Sequence, residues 1–321
     1  MKAVVHHSYG SPDVLKIEEV EKPAVTDDGV LVRVHASSVN PAEWYGMTGL
    51  FIARLMGGLF KPKDPRLGGD FAGVVEAVGA HVTDFKPGDE VYGGRSGAFG
   101  EYVNVKNAVA RKPANLTSEE AAAIPTAAIT ALQGLRDHGK LQPGQKVLIN
   151  GAAGGVGTFA VQIAKAFGAE VTAVTSTKNV DMVRSLGADH VIDYTKEDFT
   201  KSGRQYDLVL DIAGGRSWHE YKRILKQTAT FVIVGGPKGN KWIGPLGNTL
   251  KLKMASMGAR QKVVFFIAQF TREDLAILRG LSESGKMKPV VEKVYPLEQV
   301  ADAMRHLGTG HARGKIVLKI Y

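Results

Sequence analysis

Apolar and polar residues follow two different rhythms along this chain. Up to about residue 125, short alternating stretches suit strands over 3–6, 14–18, 29–36, 73–78, 90–92 and 101–105. Between them stand Gly10-Ser11-Pro12, Asp27-Asp28-Gly29 and Lys86-Pro87-Gly88-Asp89, residue types that turn a chain. This part predicts an antiparallel, barrel-like β domain. Ser118-Glu119-Glu120 then opens a helical segment, AAAIPTAAITALQGL. From residue 146, strands over 146–150, 170–175, 190–193, 208–212 and 230–234 alternate with helical stretches, the pattern of a doubly wound parallel sheet. Beyond about 262 the order changes again. A strand-like run covers 263–268, Thr271-Arg272-Glu273-Asp274 starts a helix, 297–307 suits another, and GKIVLKIY ends the chain as a strand that returns to the first domain.

The stretch KVLINGAAGGVGTFAVQIAKAFGAEVTAVTSTK, residues 146–178, organises the rest. A short apolar run leads into Gly151, Gly154, Gly155 and Gly157, and Val156, Ala160, Ile163, Ala164 and Phe167 then share one helical face. Strand, glycine turn, helix and second strand make one βαβ unit of the size a dinucleotide-binding half requires. The glycine spacing is GxxGxxG rather than GxGxxG, so the flanking elements carry more of the inference than the glycines do. A pyrophosphate is expected on the free N–H groups of the first helical turn, with Ala153, Gly154, Gly155, Val156 and Gly157 around it.

The end of the second strand bears on which cofactor is bound. An NAD site usually has an acid roughly 20 residues beyond the glycines, to hold the ribose 2′-hydroxyl. Here the chain reads Thr175-Ser176-Thr177-Lys178-Asn179, with no acid before Asp181. Ser176 can hydrogen-bond a 2′-phosphate and Lys178 can offset its charge, which favours NADPH over NADH. The alternative for Lys178 is a solvated position at a helix start. The strands ending in Gly214-Gly215 and Gly235-Gly236 let backbone approach a ligand at the same carboxyl edge, and Gly235 joins the expected cofactor contacts.

Composition narrows the classes. The 321 residues suit about two domains, and 44% hydrophobic content is ordinary for a globular protein. Cysteine is absent, so no disulfide, thiolate nucleophile or cysteine-ligated metal can form. The nine histidines are scattered without ligand spacing, and no metal site is expected. MKAVVHHSYG lacks the apolar core of a signal peptide, and no run has the length of a membrane span; a cytoplasmic location is the expectation. The net charge of +9 suits an anionic cofactor, with basic residues enriched at Lys61, Lys63 and Arg66 and over 238–262. No nucleic-acid-binding signature accompanies them, and no specific nucleic acid is expected as partner.

With these stretches assembled, the chain resembles a zinc-independent member of the medium-chain dehydrogenase/reductase superfamily, of the quinone oxidoreductase-like kind. The resemblance runs the full length through MKAVV, VLVRVHASSVNP, GGDFAGVVEAVGAHVTDFKPGDEVYG, IPTAAITALQGL, NGAAGGVG, LGADHVIDY and GHARGKIVLKI. It implies a Rossmann doubly wound sheet inserted in a split, GroES-like barrel: residues 1–125 plus 265–321 form the catalytic barrel, 126–264 the dinucleotide domain, and the active site is the cleft between them. Zinc-containing relatives have a GHE motif where this chain reads Gly68-Gly69-Asp70, and Asp70 is read as a turn or domain-packing residue. The resemblance puts Asn40 and Thr130 at the nicotinamide end and Tyr194 near the 2′-phosphate, with Lys315 at the phosphate side or the cleft rim. It also implies a homodimer paired through an edge strand of the cofactor sheet.

Several quinone oxidoreductases have a tyrosine where this chain reads Leu50-Phe51, and Tyr45 is the nearest hydroxyl left. It either stabilises a substrate oxygen or packs beside Trp44. Trp44, Tyr45, Met47, Leu50, Phe51, Phe265 and Phe266 are the expected apolar surroundings of a small planar substrate, with a core role for some of them as the alternative. The expected reaction passes hydride from NADPH, without a metal, to a quinone or an α,β-unsaturated carbonyl compound. Two rival readings are an NADPH-binding structural or interaction protein with little turnover, and a polyanion binder using 238–262.

Overall fold

A computed structural model describes residues 1–237 and 243–321. Two compact units emerge, Met1–Ile129 with Gln269–Tyr321, and Thr130–Ala268; the boundary lies within the helix Pro125–Gln133. Lys238 and Lys241, part of the basic enrichment over 238–262, lie outside the described residues.

In the first unit the strands Val291–Pro296, Lys315–Lys319, Val30–Ser38, Asp70–Val78, Glu90–Gly94 and Val109–Arg111 lie side by side in that order, and Tyr102–Val105 also pairs with Val30–Ser38. All these pairings are antiparallel except that of the last two strands in the sequence, Val291–Pro296 and Lys315–Lys319. The final strand sets Val317 opposite Ser38 and Leu318 opposite Ser37, so the chain end completes a sheet begun near its start. Val30, Val32 and Val34 alternate inward and pack with Phe71, Val75, Val91 and Val103. β-Branched side chains suit such a pleated, half-buried surface.

Departures from the expected elements have local causes. The run expected as a strand over 14–18 starts instead as a 3-10 turn, Pro12–Val14, with proline fixing φ at its first position, and the strand is Lys16–Glu19. The single helical segment after Ser118 is two helices, Ser118–Ala122 and Pro125–Gln133, since Pro125 has no N–H to continue the first. Two helices unassigned from the sequence, Pro41–Thr48 and Phe51–Gly57, follow Val30–Ser38. Met47, expected beside the substrate, is fully buried in a core with Val4, Phe99, Met304 and Leu318.

The second unit is a parallel sheet in the order His190–Asp193, Glu170–Thr175, Lys146–Asn150, Tyr206–Asp211, Leu225–Ile233, Lys262–Phe265. The chain steps outward from Lys146–Asn150 in one direction, then returns and steps outward in the other from Tyr206–Asp211. These two strands flank the switch point at which open parallel sheets bind ligands. On one face Phe231 is fully buried with its ring centroid 4.5 Å from that of Tyr221 and 5.9 Å from that of Trp218. Phe265 packs against the edge of this cluster. Phe231→Ala is expected to destabilise the protein by about 3–5 kcal/mol, read as a lower urea midpoint at unchanged slope.

Candidate functional site

The turn Gly151–Gly154 leads from the strand Lys146–Asn150 into the helix Gly155–Ala166 at the switch point. Gly154 caps the helix with no side-chain hydrogen bond, so the N–H groups of Gly155, Val156 and Gly157 have neither an intrahelical acceptor nor a capping oxygen. A Cβ on Gly157 would lie 2.2 Å from the Gly151 carbonyl oxygen, which forces glycine where helix and turn meet. A Cβ on Gly154 would meet only that same oxygen, at 3.6 Å, so the cradle is open on this side. Ala153 is buried beneath it. Uncapped donors at the positive end of a helix, with bare backbone around them, fit a pyrophosphate.

The neighbouring strand ends complete this edge. Thr175 ends Glu170–Thr175, and Ser176 with the exposed Lys178 follows in a 3-10 turn. Asp193 is the register partner of Thr175, and the Tyr194 N–H donates to the Thr175 carbonyl at 3.0 Å. The structure therefore brings Ser176, Lys178 and the half-exposed Tyr194 together on adjacent strand ends. It also brings an acid that the sequence reading passed over. The Asp193 carboxylate accepts from the Thr177 hydroxyl at 2.5 Å and from Thr195 N and Oγ1 at 3.0 and 2.7 Å, and these bonds hold its pKa down to about 2. With its oxygens so engaged, Asp193 orders the turn that carries Lys178.

On the other side of the switch point, Asn150 Nδ2 donates to Asp211 Oδ1 at 2.8 Å and to the Tyr221 hydroxyl at 3.1 Å, and Gly214 N donates to the same Asp211 oxygen at 2.9 Å. Asp211 Oδ2 is buried and lacks a partner among the described residues, and burial pushes the carboxyl up to about 6. Gly235 lies beside it; a Cβ there would come 2.5 Å from the Ile212 carbonyl. Thr130 is half-buried in the helix Pro125–Gln133, and Phe266 stacks on His138 at 4.2 Å.

The first unit holds a second cluster of chemically capable groups. Asp70 is not a turn residue. It opens the strand Asp70–Val78, is fully buried, and is the centre of a polar network. Its Oδ1 accepts from Thr126 N and Oγ1 at 2.9 and 2.6 Å, and its Oδ2 from Ser38 Oγ and Asn40 Nδ2 at 2.7 and 3.0 Å, with Lys315 Nζ at 3.6 Å. Lys315 also donates to Asn40 Oδ1. At 3% exposure Lys315 stands neither at a rim nor free to meet a phosphate, contrary to expectation; a carboxylate and an amide hold it inside the sheet. Both Asn40 donors are likewise engaged, by Asp70 and by the Ser38 carbonyl at 3.3 Å, which leaves the amide no N–H for a nicotinamide.

Glu43 completes the network by accepting from the Asn40 N–H at 2.7 Å. Burial and the nearby Asp70 carboxylate push its pKa up to about 7, with the Lys315 ammonium pulling the other way. Burial in turn pulls Lys315 down against the opposing attraction of Asp70 and Glu43. Below about pH 7 this leaves the Lys315 ammonium beside Asp70 and a protonated Glu43 next to them. Tyr45, on the same helix as Glu43, is half-buried, and its hydroxyl makes no hydrogen bond to a described residue. Burial raises its pKa, so it stays protonated and able to donate.

The position that holds GHE in zinc enzymes does not fit a metal here. The chain has no cysteine, the Asp70 oxygens are taken, and the cation beside them is the Lys315 ammonium. Among the described residues no group of three or more His, Asp or Glu is arranged to hold an ion.

A raised carboxyl pKa costs stability as it ionises. The folded state keeps the Glu43 proton up to about pH 7, while an unfolded chain releases it near 4.5, so stability falls as pH rises between these values. The loss is at most about 3 kcal/mol. Glu43→Gln, which keeps the neutral shape, is expected to match the wild type at about pH 4, below both values, and to exceed its melting temperature at pH 8.

Comparison with known proteins agrees with this geometry. Residues 26–114 match a family model described as an alcohol dehydrogenase GroES-like domain, and 186–318 one described as a zinc-binding dehydrogenase. The chain is 37% identical to 2-methylene-furan-3-one reductase of Solanum lycopersicum over 338 residues, 99% of this chain and 79% of the relative. It is 36% identical to the mitochondrial NAD(P)H oxidoreductase RTN4IP1 of Bos taurus over 359 residues, 100% of this chain and 89% of the relative. Among solved structures, Escherichia coli quinone oxidoreductase complexed with NADPH superposes with a TM-score of 0.85 at 26% identity, covering 100% of both chains. A parallel sheet with a glycine turn at its switch point, a GroES-like unit completed by the chain end, and relatives alike over nearly the whole sequence lead to one assignment: this chain belongs to the medium-chain dehydrogenase/reductase superfamily, of the quinone oxidoreductase-like kind.

Proposed function

We propose that this protein is an NADPH-dependent reductase of quinones or α,β-unsaturated carbonyl compounds that works without a metal. The observation that carries the reading is the uncapped, glycine-lined start of the helix Gly155–Ala166, with Ser176, Lys178 and Tyr194 on the adjoining strand ends. The relatives support it, one named for the reduction of an unsaturated furanone and another solved as a quinone oxidoreductase with NADPH.

The bound cofactor supplies the hydride. The N–H groups of Gly155, Val156 and Gly157, with Ala153 and Gly154 beside them, would hold its pyrophosphate. Ser176 and Tyr194 would hydrogen-bond the 2′-phosphate and Lys178 would offset its charge. Gly235 would let backbone come close, and Thr130 would serve the nicotinamide end. Asn40 and Lys315 serve at one remove, by fixing Asp70 and the start of the helix Pro41–Thr48. Conjugated acceptors need no Lewis acid, because the carbonyl already draws electrons from the carbon that takes the hydride. The oxygen that becomes negative needs a donor, and Tyr45 has a protonated hydroxyl with no described partner. Water then supplies the final proton. Among the described residues the outer strand Lys262–Phe265 pairs on one side only, which suits a homodimer formed across its other edge.

NADPH absorbance is expected to fall with a simple quinone or with an α,β-unsaturated aldehyde. Tyr45→Phe should lower kcat about tenfold with little change in KM for NADPH. NADPH binding with no turnover on either acceptor would favour the non-catalytic reading. Lys178→Ala is expected to raise KM for NADPH about tenfold and leave that for NADH unchanged; equal changes for both would remove the 2′-phosphate role.

A further inference from the structure

The helix Phe51–Gly57 and the turn after it present an apolar surface that the proposed chemistry does not use. Leu55, Leu59 and Phe60 are 60%, 45% and 89% exposed. The turn beneath them is built. Gly58 N donates to the Arg54 carbonyl at 2.9 Å, Lys63 N to the Gly57 carbonyl at 2.7 Å, and the Tyr9 hydroxyl to the Gly58 carbonyl at 2.5 Å. Gly58 takes φ +123, and a Cβ there would strike the Lys61 carbonyl oxygen at 2.0 Å. Arg54 stacks over the Tyr9 ring at 4.5 Å and donates to the Gly49 carbonyl at 2.8 Å, which braces the helix from behind. A turn tied at its base this way holds Leu59 and Phe60 toward solvent at the cost of their hydration.

Charge identifies what covers the surface. Lys61 and Lys63 are exposed immediately after Phe60. The one acid over 51–66, Asp64, is paired with Arg66 at 2.9 Å, which leaves Arg54, set over the Tyr9 ring, and the two exposed lysines as surplus positive charge. Exposed apolar side chains with two exposed lysines next to them in the chain match the boundary of an anionic bilayer, where the side chains enter the acyl region and the ammonium groups meet headgroup phosphates. Protein interfaces are depleted in lysine, and a polynucleotide has no use for Leu55 and Leu59.

We propose that the turn carrying Leu59, Phe60, Lys61 and Lys63 is a peripheral docking surface for anionic phospholipid membranes. Its size predicts reversible, salt-sensitive attachment rather than insertion. The proposal is independent of the acceptor assigned above.

The test is co-sedimentation of the full chain with vesicles of phosphatidylcholine alone and with about a third phosphatidylglycerol. Binding is expected only to the anionic vesicles. Lys61→Glu with Lys63→Glu should reduce the bound-to-free ratio at least about 30-fold, and Leu59→Ser with Phe60→Ser about tenfold or more. Both double variants should keep the wild-type melting temperature and NADPH oxidation in solution. If a double variant melts early, Lys61→Gln with Lys63→Gln and Phe60→Ser alone replace it. Equal binding to neutral vesicles, no binding, or binding that withstands the serine changes would each overturn the proposal. Retention on a polynucleotide without vesicle binding would assign the lysines to a different anion.

Discussion

Burying the Asp70 carboxylate is the constraint on which the first unit depends. A fully buried charge persists only if every lone pair finds a donor and a countercharge is near. Here the donors come from separate parts of the chain: Ser38 and Asn40 at the end of one strand, Thr126 at the start of a helix, and Lys315 in the final strand. The C-terminal strand is therefore joined to the N-terminal sheet by an ion pair as well as by its ladder with Val30–Ser38. The first unit is closed by residues nearly three hundred positions apart. Removing Lys315 or Asp70 alone would leave the other buried without its countercharge.

That constraint also bears on the chemistry. Where zinc enzymes of the superfamily have their GHE motif, this chain has a glycine in place of the histidine, followed by a carboxylate saturated by hydrogen bonds and balanced by an ammonium. The sheet keeps its polar centre while the site loses its Lewis acid. What is left is the positioning of a cofactor against an acceptor that is already activated, a task suited to backbone donors and a few side chains on rigid elements.

In the second unit the governing feature is the approach of backbone to backbone at the carboxyl edge. Gly157 against Gly151, and Gly235 against Ile212, leave no volume for a Cβ. These contacts pack the helix start against the turn and leave its N–H groups facing outward. Asp193 and Asp211 stand at strand ends on either side, one fully hydrogen-bonded and ionised, the other half-satisfied and raised. Their environments separate two like residues into an ionised scaffold for the turn and a buried acid whose ionisation is resisted.

Much of this was legible without coordinates. The strands over 146–150, 170–175 and 190–193 and the glycine turn follow from local pattern and from the steric freedom of glycine, which act over a few residues. Ser176 and Lys178 follow from their place at the end of a strand, where ligands of parallel sheets bind, whereas Tyr194 comes from the family resemblance alone. The network of Glu43, Asp70, Asn40 and Lys315 was not legible: Lys315 lies inside the sheet rather than at a rim, and Asp70 opens a strand rather than a turn. A lysine or an aspartate looks alike in sequence whether solvated or sealed inside a sheet, because burial is decided by strands that meet only after folding. The sequence by itself determined where the chain can turn, coil and expose bare backbone; the tertiary structure alone decided which charges are dehydrated, because that depends on pairing between distant segments.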